Sequence, residues 1–370
     1  MSDDDRFGSD PARSSRDHAD LQARLTDWLQ ATTGDGGATV GDLSVPEGSG
    51  MSSETILFDG TWDGATQPLV ARLAPTAEDT PVFRSYDLEM QFRILRLVGS
   101  ESAVPVPTAR WLELSSDPIG SPFFVMDRVE GRVPRDIPPY LFEGWLLDAD
   151  PSDQEALQRA SVGLLADLHG IDPSGHDTAF LEIDAPGDTA LRRHFNDQLA
   201  YYEWVRGDRR HPIVEDGLAW LEANWPDEGP TVLTWGDARI GNVMYASDGF
   251  DPVAVFDWEM AAMGPAELDL GWMCFLHSFF QNIAEVLEVP GMPDFMRADD
   301  VAAMYTERSG RPVRDLRWFE IYTAVRHAII MSRITDRMIS FGDRDGWPDD
   351  IDEPIPHRDL LRSMLDAEVA

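Results

Sequence analysis

Residues 231–261, TVLTWGDARIGNVMYASDGFDPVAVFDWEMA, read as strand, loop, strand, Gly turn and strand, and they interrupt a stretch that is otherwise helical. Helical periodicity is clear before them in QEALQRASVGLLADLHG and LRRHFNDQLAYYEWVRG, and after them in VRDLRWFEIYTAVRHAIIMSRITDRM. The β island also holds the densest set of chemically useful side chains in the chain. Asp237 follows Gly236, Asn242 comes five residues later, and a short hairpin returns the chain to Asp257 and Glu259. Four oxygen-bearing side chains therefore converge on one end of the island.

Upstream, ATVGDLSVP, ETILFDG and QPLVARLAP are apolar runs rich in β-branched residues and separated by Gly-containing turns, as an antiparallel sheet reads. YDLEMQFRILRLVG then puts Leu88, Phe92, Leu95 and Val98 on one helix face, with Gly99 in a C-cap position. ARWLELSS and PFFVMDRVEG complete five strands, and the Gly131 and Pro134 region reads as a crossing to a second lobe. The expectation is an α+β chain of two lobes around a cleft, in three parts. Residues 1–17 form a disordered tail, 18–130 a small lobe with a five-stranded antiparallel sheet and one helix, and 131–370 a larger, mainly helical lobe.

Composition narrows the function classes. The chain has 67 acidic residues against 30 basic ones, a formal charge of -37, which repels nucleic acid and anionic membranes. No lysine occurs, so every fixed side-chain cation is an arginine. The single cysteine, Cys274, excludes an internal disulfide framework and reads as a buried helix residue. The acidic N-terminus is no secretory signal and no run of about twenty apolar residues appears, so a cytoplasmic protein is expected.

Phosphoryl transfer needs a carboxylate to orient or deprotonate the attacking hydroxyl, and hard oxygen ligands to hold Mg²⁺ against the nucleotide phosphates. Asp237 meets the first demand, and the Asn242/Asp257 pair the second. Here WGDARIGN followed by FDWE resembles the catalytic loop and metal-binding segment of aminoglycoside phosphotransferases and related choline-kinase-like enzymes, which have a protein-kinase-like two-lobed fold. That resemblance implies Asp237 as catalytic base, Asn242 and Asp257 as magnesium ligands, and Glu259 where relatives often carry a second acid. The family usually has His where this chain has Trp235, which reads as packing in a rearranged loop. Asp269, at the start of the downstream ELDLGW helix, either ties the loop down or caps the helix, and capping is the preferred reading.

The same resemblance implies a strand cation on the α and β phosphates, for which PLVARLAP offers Arg72. Its helix partner is Glu89, although aligning FRIL puts Gln91 at the acidic position; Glu89 also suits a surface pair with Arg93. A phosphate loop would be GSGMSSET, with Gly48, Gly50, Ser52 and Ser53 foremost, a stretch that equally suits a plain hairpin. Adenine would meet the carbonyl and amide of Asp127 and Val129.

The implied activity is transfer of the γ-phosphate of ATP or GTP, with Mg²⁺, to a hydroxyl of a small molecule. The acceptor could be an aminoglycoside or a metabolite of the choline, homoserine or hydroxyacyl type, and a nucleotide-binding pseudokinase module is the alternative from another class. Acceptor-pocket candidates in the helical region are Asp294, Asp299, Asp300, Glu320, Arg326 and Asp336. The acidity of the whole protein makes carboxylates there poor evidence for a polycationic acceptor.

Overall fold

The computed structural model describes residues 17–46, 54–75 and 80–367. The chain divides into two compact units, residues 1–100 with 106–130, and residues 101–105 with 131–370.

The first unit opens with α1 (His18–Thr33), started by Asp17, whose carboxylate accepts the Ala19 amide, and stopped by Gly34 in the left-handed conformation. Five strands follow: β1 (Thr39–Val40), β2 (Glu54–Trp62), β3 (Ala65–Leu73), β4 (Ala109–Glu113) and β5 (Phe123–Asp127). They form one antiparallel sheet in the order β1-β2-β3-β5-β4. Asp63 and Gly64 both have positive φ and close the two-residue turn between β2 and β3, the geometry a right-twisted hairpin favours. The period-2 alternation of the strands gives the sheet two apolar faces. Ile56, Phe58, Leu69, Ala71, Leu73, Phe123 and Val125 share a core cluster with Leu21, Leu25 and Leu29 of α1. The opposite face meets α2 (Leu88–Glu101), where Phe92 lies edge-on to Phe124 with centroids 6.2 Å apart. Leu88, Phe92, Leu95 and Val98 are buried as their spacing predicts, but Gly99 does not end the helix, which runs on to Glu101.

The second unit is helical around two small ribbons. Its helices are α3 (Pro151–Leu168), α4 (Ala190–Arg206), α5 (Pro212–Ala223), α6 (Glu267–Val286), α7 (Ala298–Ser309), α8 (Leu316–Phe341) and α9 (Arg358–Asp366). The three strands expected in residues 231–261 are β6 (Thr231–Thr234), β7 (Val243–Tyr245) and β8 (Pro252–Val255), and a fourth, β9 (Ala262–Pro265), follows directly after them. β6 pairs with β9 and β7 with β8, both antiparallel. The strand missed in the sequence, AMGP, is too short and Gly-rich to show alternation. α6 buries most of its circumference and packs on α8, which accounts for its nearly uninterrupted apolar sequence. Cys274 sits there fully buried, and burial pushes its thiol well above the usual range.

Candidate active site

β6 delivers the chain to Trp235, Gly236 and Asp237, and the turn there admits only glycine. Gly236 has φ +92°, and a Cβ at that position would fall on the carbonyl of Met260. Asp269, at the start of α6, holds the turn from behind: its carboxylate accepts the amides of Trp235 (2.7 Å) and Gly236 (2.8 Å). Of the two roles read for Asp269, the preferred helix cap is therefore corrected, and the tie to the loop is the one observed. Nε2 of His169 lies 3.0 Å from the same carboxylate, and its Nδ1 lies 2.9 Å from the Tyr305 hydroxyl. His169 and Asp269 are both fully buried. Trp235 is buried too, and its indole N–H donates to the carbonyls of Phe256 (2.8 Å) and Asp257 (3.1 Å), which ties the loop to the far end of β8.

The Asp237 carboxylate is gripped on both oxygens. Oδ1 accepts from the Trp272 indole at 2.7 Å, Oδ2 from the Asn242 amide at 2.7 Å, and Nε of Arg239 stands 3.1 Å and 3.2 Å from the two. Arg239 also pairs with Asp136. Burial, and next the charge of Asp257, raise the Asp237 pKa to about 7, against the lowering effect of its hydrogen bonds and of Arg326. A carboxylate with its proton affinity near neutrality is suited to accept a proton from a hydroxyl.

Asn242 is 6% exposed, and its amide group donates to both the backbone carbonyl and the carboxylate of Asp237. Its side-chain oxygen is thus the face left to act as an acceptor. The Phe256 amide donates to the Asn242 carbonyl at 2.9 Å, which sets Asp257, the next residue, alongside Asn242. Asp257 has φ +56°, a left-handed conformation that costs a non-glycine residue roughly 1–2 kcal/mol and that concentrates at functional sites. Glu259 is half-buried two residues on, and the Arg239 guanidinium feels the charge of both acids. Among the described residues there is no group of three or more His, Cys, Asp or Glu able to hold a metal. A magnesium ion that keeps water and phosphate oxygens needs only one or two protein ligands, and the hard oxygens of Asn242 and Asp257 fit that demand.

Beside this loop lies a small pocket whose walls are Ile240, Met273, Leu276, Phe280 and Met296, with the Arg239–Asp136 pair as its charged part. Tyr140 and His277 also line it and are bonded to each other at 2.8 Å.

The remaining candidates lie in the first unit. Arg72 of β3 is opposite Phe124, on the sheet face that α2 covers; it is 9% exposed and approaches the Thr55 hydroxyl at 3.5 Å. On α2 the structure exposes Glu89 and buries Gln91, whose Nε2 has no hydrogen-bond partner among the described residues. Asp127 ends β5 with its amide bonded to the Thr108 carbonyl and its carboxylate paired with Arg110; Val129 follows, half-buried. Gly48, Gly50, Ser52 and Ser53 lie outside the described residues. Sequence reasoning passed over Trp272, His169 and Arg239. Only Trp272 carried a signal, its place in ELDLGW, and nothing in that segment says that the indole turns toward Asp237.

A five-stranded antiparallel unit and a helical unit carrying Asp237, Asn242 and Asp257 on short ribbons define the protein-kinase-like fold of small-molecule phosphotransferases. The chain belongs to the phosphotransferase enzyme family APH, whose family model matches residues 46–294. Among solved structures it is similar to a putative aminoglycoside phosphotransferase from Ralstonia eutropha JMP134, with TM-score 0.64 and 21% identity over 93% of this chain and 96% of that one. It is similar also to aminoglycoside phosphotransferase APH(4)-Ia in ternary complex with ADP and hygromycin B, with TM-score 0.55 and 15% identity over 93% and 99% of the two chains. At these identities the likeness is one of fold. A curated relative, probable acyl-CoA dehydrogenase IBR3 of Arabidopsis thaliana, is 25% identical over 79% of this chain, which spans only 36% of that protein.

Proposed function

We propose that this phosphotransferase-family protein moves the γ-phosphate of ATP, or GTP, to a hydroxyl of a small molecule. The observation that carries this reading is the grip of Trp272 and Asn242 on the two oxygens of Asp237, next to an Asn242/Asp257 oxygen pair. In the proposed step the acceptor hydroxyl gives its proton to the Asp237 carboxylate as its oxygen forms a bond to the γ-phosphorus. The bond from that phosphorus to the β,γ-bridging oxygen breaks, and the nucleoside diphosphate leaves with the electron pair. Asn242 and Asp257 would hold magnesium, which when bound neutralises phosphate charge; Arg72 of the first unit is a permanent cation of the kind that binds nucleotide phosphates.

The acceptor is better read as a metabolite of the hydroxyacyl type than as an aminoglycoside. The pocket beside Arg239 is walled by apolar side chains, and its one acid, Asp136, is already paired. The acyl-CoA dehydrogenase name of a relative points the same way. Among the described residues no helix is long and apolar enough to cross a membrane, and the cytoplasm, where nucleoside triphosphates are abundant, is the compartment we assign.

The test is calorimetric and thermal-shift titration with Mg-ATP and Mg-GTP, on the wild type and on Asp257→Ala. Metal-dependent binding that the variant loses supports the site; absence of nucleotide binding at both low and high salt sinks it.

A further inference from the structure

Arg326 of α8 is 2% exposed, yet its Nε has no hydrogen-bond partner among the described residues. Its guanidinium lies over the ring of Trp272, 4.5 Å from the centroid, and near that of Tyr322 at 5.6 Å. Trp272 is the residue whose indole N–H donates to Asp237, so this cation stands one ring away from the candidate base. His194, also in its surroundings, is bonded to the Tyr322 hydroxyl, and burial and the charge of Arg326 lower its pKa well below the usual imidazole range.

Three carboxylates lie within reach of its charge, Asp269, Asp237 and Asp197. Asp269 spends its oxygens on two backbone amides and His169, Asp237 on Trp272, Asn242 and Arg239, and Asp197 accepts from the Gln198 amide. Among the described residues no carboxylate forms an ion pair with Arg326, and two aromatic rings are its close company. Cation–π contact offsets part of the cost of burying a charge, but it uses none of the five N–H donors that make guanidinium a two-point grip for carboxylate or phosphate. Burial of a cation without acceptors is otherwise unfavourable.

We infer that Arg326 determines acceptor specificity by binding an anionic group, carboxylate or phosphate, carried by the hydroxyl-bearing acceptor. The inference rests on the phosphotransfer reading and sharpens it: the acceptor is an anion with an apolar portion, seated between Arg326 and the pocket of Ile240, Met273 and Leu276, and not a polycation. Trp272 and Met273, adjacent on α6, face these two features, the one stacked under Arg326 and the other lining the pocket.

A charge series on the wild type tests this without a variant: ω-hydroxyhexanoate, hexanediol monophosphate, hexanediol and aminohexanol, each with Mg-ATP. One of the anionic acceptors is expected to have a kcat/KM at least tenfold above the neutral and cationic ones, and which of them it is distinguishes carboxylate from phosphate. In Arg326→Met that acceptor's KM should rise about 10–100-fold, with the KM for ATP unchanged, and Arg326→Lys should recover part of the loss. Equal use of all four acceptors overturns the proposal, as does a variant that loses kcat equally for all without change in KM, the result of a purely structural cation. Calorimetric binding of the same four compounds to Asp237→Asn separates this inference from its premise. Anion binding that depends on Arg326 but is never followed by transfer keeps the site and removes the kinase reading, whereas failure of both anions to bind removes the site.

Discussion

In the loop after β6 both oxygens of Asp237 are held by donors at 2.7 Å, Asp269 anchors two successive amides, and Gly236 has no room for a Cβ. On β3, the contacts of Arg72 include the Thr55 hydroxyl at 3.5 Å, and across from that sheet face α2 buries a Gln91 whose Nε2 has no hydrogen-bond partner among the described residues, while Glu89 faces solvent. The first arrangement holds a carboxylate from both sides, and the second buries an amide nitrogen that finds no hydrogen-bond partner among the described residues. The contrast follows from the work proposed for each. Proton transfer and near-attack alignment fall off steeply with distance and angle. A cation that neutralises charge spread over several phosphate oxygens acts through a 1/r interaction and tolerates play.

The sharpest way to break this contrast is Asp237→Asn, expected to cut phosphate transfer about 10²–10⁴-fold with nucleotide affinity preserved; a loss below tenfold would remove Asp237 as the base. Asp269→Ala should follow, leaving two amides and buried His169 without their acceptor. Urea unfolding should register a loss of about 3–5 kcal/mol.

Acid should also act on the second unit. Burial lowers the pKa of His194, His277, His327 and His357, all in that unit, and that of His277 falls to about 4. The unfolded chain then binds more protons than the folded one between about pH 6.5 and 4. Stability is full above that window and is lost as pH falls through it, by up to about 3 kcal/mol for His277. Asp237 and Glu320, raised to about 7, work in the opposite direction, since their contribution fades as pH rises toward 7. Unfolding measured at steps from pH 7 to 4 should show the descending limb, and His277→Gln should flatten it.

Smaller effects belong to the first unit. Arg72→Met should raise the KM for ATP about tenfold and leave kcat nearly unchanged, with Arg72→Lys recovering most of it. Glu89→Gln should change neither KM nor stability by more than about 0.5 kcal/mol, as expected of an exposed helix residue. A large effect at Glu89 would place the partner of Arg72 there after all and erase the contrast.

Much of the fold was legible because its rules are local. Alternating strands, the Asp63–Gly64 turn and the buried face of α2 each depend on residues a few positions apart. Asp237, Asn242 and Asp257 were legible for the same reason, being one loop and one hairpin. β9 was not, since four residues including Gly264 show no period, and α2 overran Gly99 because tertiary packing outweighs a modest local preference.

The amino-acid sequence by itself determined the five-stranded sheet with its helix, the strand, loop and hairpin of residues 231–255, and the identity of the acids beside them. Only the tertiary structure decided what holds them: His169 reaches Asp269 across 100 residues, Trp272 reaches Asp237 across 35, and α8 lays Arg326 over Trp272. Such contacts arise where a buried polar group must find a donor or acceptor among whatever packing brings near. Local pattern carries no record of that choice, because periodicity specifies which face a residue occupies and not which residue it will meet there.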